Sequence, residues 1–92
     1  VKYYDWDKEK NSRLKVERGI SFDNVLVSIE AGSVLDIINH PNSKRYPNQK
    51  IYIIAFHDYA YLVPFVEDDE KYFLKTIIPS RKMTKKYLKE VK

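Results

Sequence analysis

The sequence predicts an α+β domain: helices packed on one face of a mostly antiparallel sheet, in the order β-α-α-β-β-β-β-α. Three observations lead there. Two segments with helical spacing, each with a capping residue before it and a glycine after it, follow a short aromatic run. Three strand-like runs then succeed one another across the connections "HD" and "EDDE", which are short enough to demand antiparallel hairpins. A basic, helix-patterned segment closes the chain.

The first run, "KYYDW" (2–6), has good strand propensity. Asp7 is placed to cap a helix over about Lys8 to Arg18, which is polar apart from Leu14 and Val16 and stops at Gly19. So thin an apolar stripe suits a lid on the surface. Ser21 caps a second helix, in which Phe22, Val25, Leu26 and Ile29 fall at helical spacing before Gly32, and this is the stronger core element. "SVLDII" (33–38) reads as a strand, and 39–50 as a polar loop punctuated by Pro41 and Pro47. The hairpin strands are "IYIIAF" (51–56), "YAYLVPFV" (59–66) and "KYFLKTII" (71–78). Pro64 donates no ladder hydrogen bond, so it implies a bulge or a position facing no partner. The last helix is expected from about Met83. No linker or repeat divides residues 1–92, which are read as one domain.

Composition excludes several chemistries. The chain has no cysteine, so disulfides, thiolate metal sites and a cysteine nucleophile are ruled out. With only Gly19 and Gly32, neither a phosphate-cradling loop nor a dinucleotide fingerprint can be written. His40 and His57 lack ligand spacing, and "EDDE" lacks the length, glycine and terminal glutamate of a calcium loop. Neither a metal nor a cofactor is therefore expected. No segment approaches the ~20 apolar residues of a membrane span, and the charged N-terminal stretch does not read as a signal peptide, so the expected location is cytoplasmic.

The net charge of +4 favours acidic partners, either nucleic acid or an acidic protein. From residue 71 onward the cations are Lys71, Lys75, Arg81, Lys82, Lys85, Lys86, Lys89 and Lys92, against Glu90 alone. Lys82, Lys85, Lys86 and Lys89 would share one helical face. Arg81 is read as preceding the helix, at the strand's end, where its planar fork suits a phosphate. Charge alone is equally compatible with a solvated helix. Most of the eight tyrosines belong in the core or at its rim, with Tyr46 and Tyr87 the better candidates for stacking on bases.

Residues 6–22, "WDKEKNSRLKVERGISF", resemble the N-terminal signature of BrnT-type toxins, matching it at Trp6, Asp7, Lys10, Gly19, Ser21 and Phe22. "IIPSRKMT" (77–84) resembles that family's C-terminal run, with Arg81 and Lys82 on its two basic positions, and "LVPFVE" (62–67) falls on its central apolar strand. Leu14, Glu17-Arg18, Lys50, Asp68 and Thr76 depart from the pattern, as in a divergent branch.

The resemblance implies a RelE-like fold and a role as the toxin half of a bacterial type II toxin–antitoxin pair. It also implies metal-independent endoribonuclease activity, silenced by a cognate antitoxin that carries a DNA-binding module. Such cleavage needs the 2′-OH proton removed, charge on the phosphate stabilised and the leaving 5′ oxygen protonated. Arg81 takes the charge-stabilising role on this reading. Lys82 and Lys50 support it, provided that the third strand's start lies near the last strand's end. Glu67 aligns with a family glutamate as a general base, while His40 has the better intrinsic pKa, and the choice stays open. Lys75, Lys85, Lys86, Lys89 and Tyr87 would hold the RNA. The alternative is a non-catalytic module that binds an antitoxin or nucleic acid and no longer cleaves.

Overall fold

The structure is a computed structural model that describes residues 2–42 and 44–88. Its elements are β1 (Tyr3–Asp5), α1 (Lys8–Arg18), α2 (Phe22–Glu30), β2 (Val34–Asn39), β3 (Gln49–Phe56), β4 (Tyr59–Glu67), β5 (Lys71–Leu74), β6 (Ile78–Pro79) and α3 (Arg81–Tyr87). The fold is α+β. The strands lie in the order β1-β5-β4-β3-β2, with β6 also on β4, and every pairing is antiparallel except β1 with β5.

Local chemistry explains the helix ends. The Asp7 carboxylate accepts from the Glu9 and Lys10 amides at 2.9 and 3.2 Å, and Gly19 closes α1 in the left-handed region at φ 71°. Ser21 and Asn24 form a reciprocal capping box at the start of α2. Asn11 joins the two helices: its carbonyl accepts from the Phe22 amide at 2.6 Å, and its amide donates to Asp23. At the β3–β4 hairpin, His57 and Asp58 both adopt positive φ, as a two-residue type I′ turn requires. The acidic "EDDE" connection is also a turn device. The Asp68 carboxylate accepts from the Glu70 and Lys71 amides at 2.8 Å each, and those bonds hold it below the usual carboxylate range.

The main core lies between α1–α2 and one face of the sheet. Leu14, Ile20, Phe22 and Val25 pack there with Tyr52, Ile54, Val63, Phe65, Leu74 and Ile77. Leu14 is the one buried residue of α1, so that helix is the surface lid its sequence implies. Strand alternation sends Ile51, Ile53 and Ala60 to the opposite face, where all three are also buried. α3 covers that opposite face. Its Tyr87 hydroxyl donates to Asp36 at 2.6 Å, and Asp36 pairs with the outward-alternating Ile53.

Three expectations are corrected. The helices do not share one face, because α3 lies across the sheet from α1 and α2. The run 71–78 is two strands, not one. β5 pairs with β4 at Phe65–Glu67 and β6 pairs with it at Tyr61–Leu62, while between them the Lys75 amide donates to the Pro64 carbonyl at 2.8 Å. Pro64 has no N–H to offer on that side, so the partner strand breaks opposite it, Ile77 drops fully into the core, and Arg18 donates to the freed Ile77 carbonyl. Lastly, Arg81 does not precede the last helix. It is the helix's first residue, with Ser80 as the cap accepting from the Met83 amide at 3.1 Å.

Candidate nucleic-acid interface

α3 is short, and its sequence sorts cleanly by side. Met83, Thr84, Tyr87 and Leu88 recur at the spacing of one helical face and are half-buried, whereas Arg81, Lys82, Lys85 and Lys86 are exposed. Two polar contacts dock the helix. Thr84 Oγ1 accepts from the Ala60 amide and donates to the Ser80 carbonyl, both at 2.8 Å, and Tyr87 binds Asp36. The Tyr87 bond lowers the Asp36 pKa, with the Ile37 amide contributing next, and raises that of Tyr87. Among the described residues the ion pairs are Lys2–Glu67 and Lys71–Asp5, so none of the four α3 cations is neutralised there. Arg81 and Lys82 sit in the first turn, where the helix dipole disfavours cations and where "RK" has no acid to balance it.

The remaining predicted site residues distribute as follows. Lys75 is exposed at the β5–β6 break, beside the β6 strand that leads into α3. Lys86 lies over the Tyr87 ring at 5.3 Å, and Tyr87, with its hydroxyl tied to Asp36, serves chiefly to anchor the helix. Lys89 lies outside the described residues. Lys50 stands at the start of β3 opposite Phe65, while Pro79, two residues before Arg81, stands opposite Tyr61. Four residues of β4 separate these registers, about 13 Å of strand. Lys50 also shares the face of Tyr52 and Ile54, across the sheet from α3. The third strand's start and the last strand's end are therefore not neighbours.

Glu67 occupies the same end and face as Lys50, and Lys2 binds its carboxylate. Around it Tyr4 stacks on Tyr72 with centroids at 5.0 Å, and the Tyr4 and Tyr52 hydroxyls lie 3.4 Å apart. Burial, reinforced by Tyr4, pushes the Tyr52 hydroxyl well above its ordinary pKa. The Lys2–Glu67 and Tyr4–Tyr52 contacts were not legible, because they join residues 65 and 48 apart in sequence.

His40 belongs to a third group, in the β2–β3 loop. Its Nδ1 accepts from the Asn42 amide at 3.0 Å, its ring lies 4.6 Å from that of Tyr46, and the Arg45 guanidinium lies 5.5 Å from the Tyr46 ring. Among the described residues no group of three or more His, Asp or Glu side chains is arranged to hold a metal, and no pocket is enclosed.

What these surfaces define is a small α+β domain that carries a cationic helix on one side of its sheet and a tyrosine–carboxylate cluster on the other. No protein-family model, curated protein or solved structure matches the chain.

Proposed function

We propose that this protein is the toxin half of a bacterial type II toxin–antitoxin pair, BrnT-like in sequence and RelE-like in fold, and that it cleaves RNA without a metal. The observation carrying the reading is the outward face of α3, where Arg81, Lys82, Lys85 and Lys86 are exposed and unpaired among the described residues. A set of cations on one helix, docked by Thr84 and Tyr87, suits a phosphate backbone. Arg81 offers a two-pronged donor set to the phosphate as charge builds on it, with Lys82 beside it, and Lys75, Lys85 and Lys86 hold the flanking strand. That charge builds as a base takes the 2′-OH proton and the 2′ oxygen bonds to phosphorus. The P–O5′ bond then breaks, leaving a 2′,3′-cyclic phosphate and a 5′ oxygen that takes up a proton.

A second reading has a specific observation in its favour. Glu67 is occupied by Lys2, and both Glu67 and Lys50 lie across the sheet from Arg81. That separation favours a module that binds RNA or an antitoxin through α3 without cutting. One experiment divides the two: incubation of total RNA with purified protein in EDTA, beside Arg81→Ala and Glu67→Gln variants of equal thermal stability. The nuclease reading expects cleavage by the wild type, a loss of about 100- to 1,000-fold in Arg81→Ala, and growth arrest on expression that Arg81→Ala relieves. Intact RNA in every lane, with ribosomes present as well as absent, leaves the binding module.

A further inference from the structure

The β2–β3 loop (40–48) is a cation-bearing segment that the proposed site does not use. Between Asn39 and Lys50 the sequence contains Lys44 and Arg45 and no carboxylate. Hydrogen bonds tie its described residues together: His40 N–H to the Gln49 carbonyl, Tyr46 N–H to the Asn42 carbonyl, and Gln49 N–H to the Tyr46 carbonyl, at 3.0 to 3.2 Å. Tyr46 remains 36% exposed although it packs near His40 and Arg45. An exposed aromatic ring beside a guanidinium is the combination on which unpaired bases stack.

The fold joins this loop to α3 through β2, by a path that turns at Asp36. The helix crosses the sheet and ends where Tyr87 meets Asp36 on β2, and β2 then runs through Asn39 directly into His40. From Asp36 to His40 is about 13 Å of strand, and α3 itself adds about 9 Å. Asp36 lies between the two cationic groups, but its carboxylate is already engaged by the Tyr87 hydroxyl and the Ile37 amide.

We propose that single-stranded RNA follows one track over both elements, its phosphates on Lys85 and Lys86 of α3 and an unpaired base stacked on Tyr46 beside Arg45. The inference rests on the reading of α3 as an RNA-binding helix and adds to it a direction and a stacking end. The loop contributes nothing to a strand too short to reach it.

The test is fluorescence anisotropy in EDTA with 5′-labelled RNA of three and of ten nucleotides, and with a ten-nucleotide abasic strand. The proteins are the wild type, Tyr46→Ala, Tyr46→Phe, Arg45→Glu and the double variant Lys85→Glu/Lys86→Glu. The track predicts that Tyr46→Ala weakens the ten-nucleotide complex by roughly 5- to 100-fold and that Tyr46→Phe preserves it. It also predicts that neither Tyr46 variant alters binding of the trinucleotide or the abasic strand. Arg45→Glu should weaken the ten-nucleotide complex without lowering thermal stability. Undiminished ten-nucleotide binding by both Tyr46→Ala and Arg45→Glu, with loss in the α3 double variant, overturns the track and leaves α3 standing. Absence of RNA binding by the wild type overturns both.

Discussion

Tyr87 carries two opposite jobs that its neighbours in sequence do not reveal. On a lysine-rich helix it reads as a surface ring free to stack, yet its hydroxyl is committed to Asp36, and the bond favours the ionised carboxylate together with the neutral phenol. The signs follow from linkage. Asp36 is depressed in the folded state, so its contribution is present above the ordinary carboxylate pKa of about 4 and is lost as pH falls through the folded value. Tyr87 is raised, so its contribution is present below about pH 10 and is lost as pH rises through its folded value. Tyr87→Phe is expected to move the Asp36 titration back toward the ordinary value, followed by NMR of its carboxyl carbon. An unchanged Asp36 titration would show that the Ile37 amide and the Lys86 charge sustain the shift without Tyr87. Tyr52 behaves differently because burial dominates. It stays neutral in the folded protein above pH 10, where the unfolded chain would ionise it, so folding weakens progressively as alkali is added. Ultraviolet titration should then find a tyrosinate component that rises only with loss of circular dichroism. Full ionisation of all tyrosines in a folded protein would contradict the burial of that ring.

At the scale of the elements, the helix termini and hairpins were the most legible part of the chain. Asp7, Ser21 and Gly19 occupy the positions that capping chemistry assigns them, and the "HD" connection turns because both its residues accept positive φ. The break between β5 and β6 was not legible, because "KYFLKTII" is uniformly strand-like and the reason for the break lies on another strand, at Pro64. The start of α3 was misplaced for a related reason. Its cap, Ser80, is ordinary as a sequence signal, but the helix persists from Arg81 through docking on β4, since so short a helix has little stability alone. Thr84→Val isolates that docking. It leaves the Ala60 amide unpaired at a fully buried residue, so thermal unfolding should register a loss of about 1–3 kcal/mol. A change within a few tenths would mean that water or a shifted helix satisfies the amide.

For the molecule as a whole, the face on which charge sits is decisive. The α3 cations occupy one side of the sheet, and the Glu67–Lys2 pair with its tyrosines occupies the other. Binding to single-stranded RNA through α3 should therefore fall steeply with salt, and Lys85→Ala/Lys86→Ala should reduce the slope of log affinity against log salt by about 1.4. Lys50→Ala, on the opposite face, should leave that slope unchanged. Equal slopes in wild type and double variant would remove those lysines from the interface.

The sequence by itself determined the α+β class, the order of its elements apart from one division, the caps, the hairpins and the cationic character of the last helix. These are local properties: hydrophobic period, capping residues and turn chemistry act over a few residues and are written consecutively. Only the tertiary structure decided that α3 lies opposite α1 and α2, that Arg81 opens that helix, and that Lys50 and Glu67 share an end of the sheet remote from it. Those facts depend on which strands pair, in which register and on which face. A shift of one residue in register inverts every side chain of a strand, so no count of charges along the chain could have grouped them.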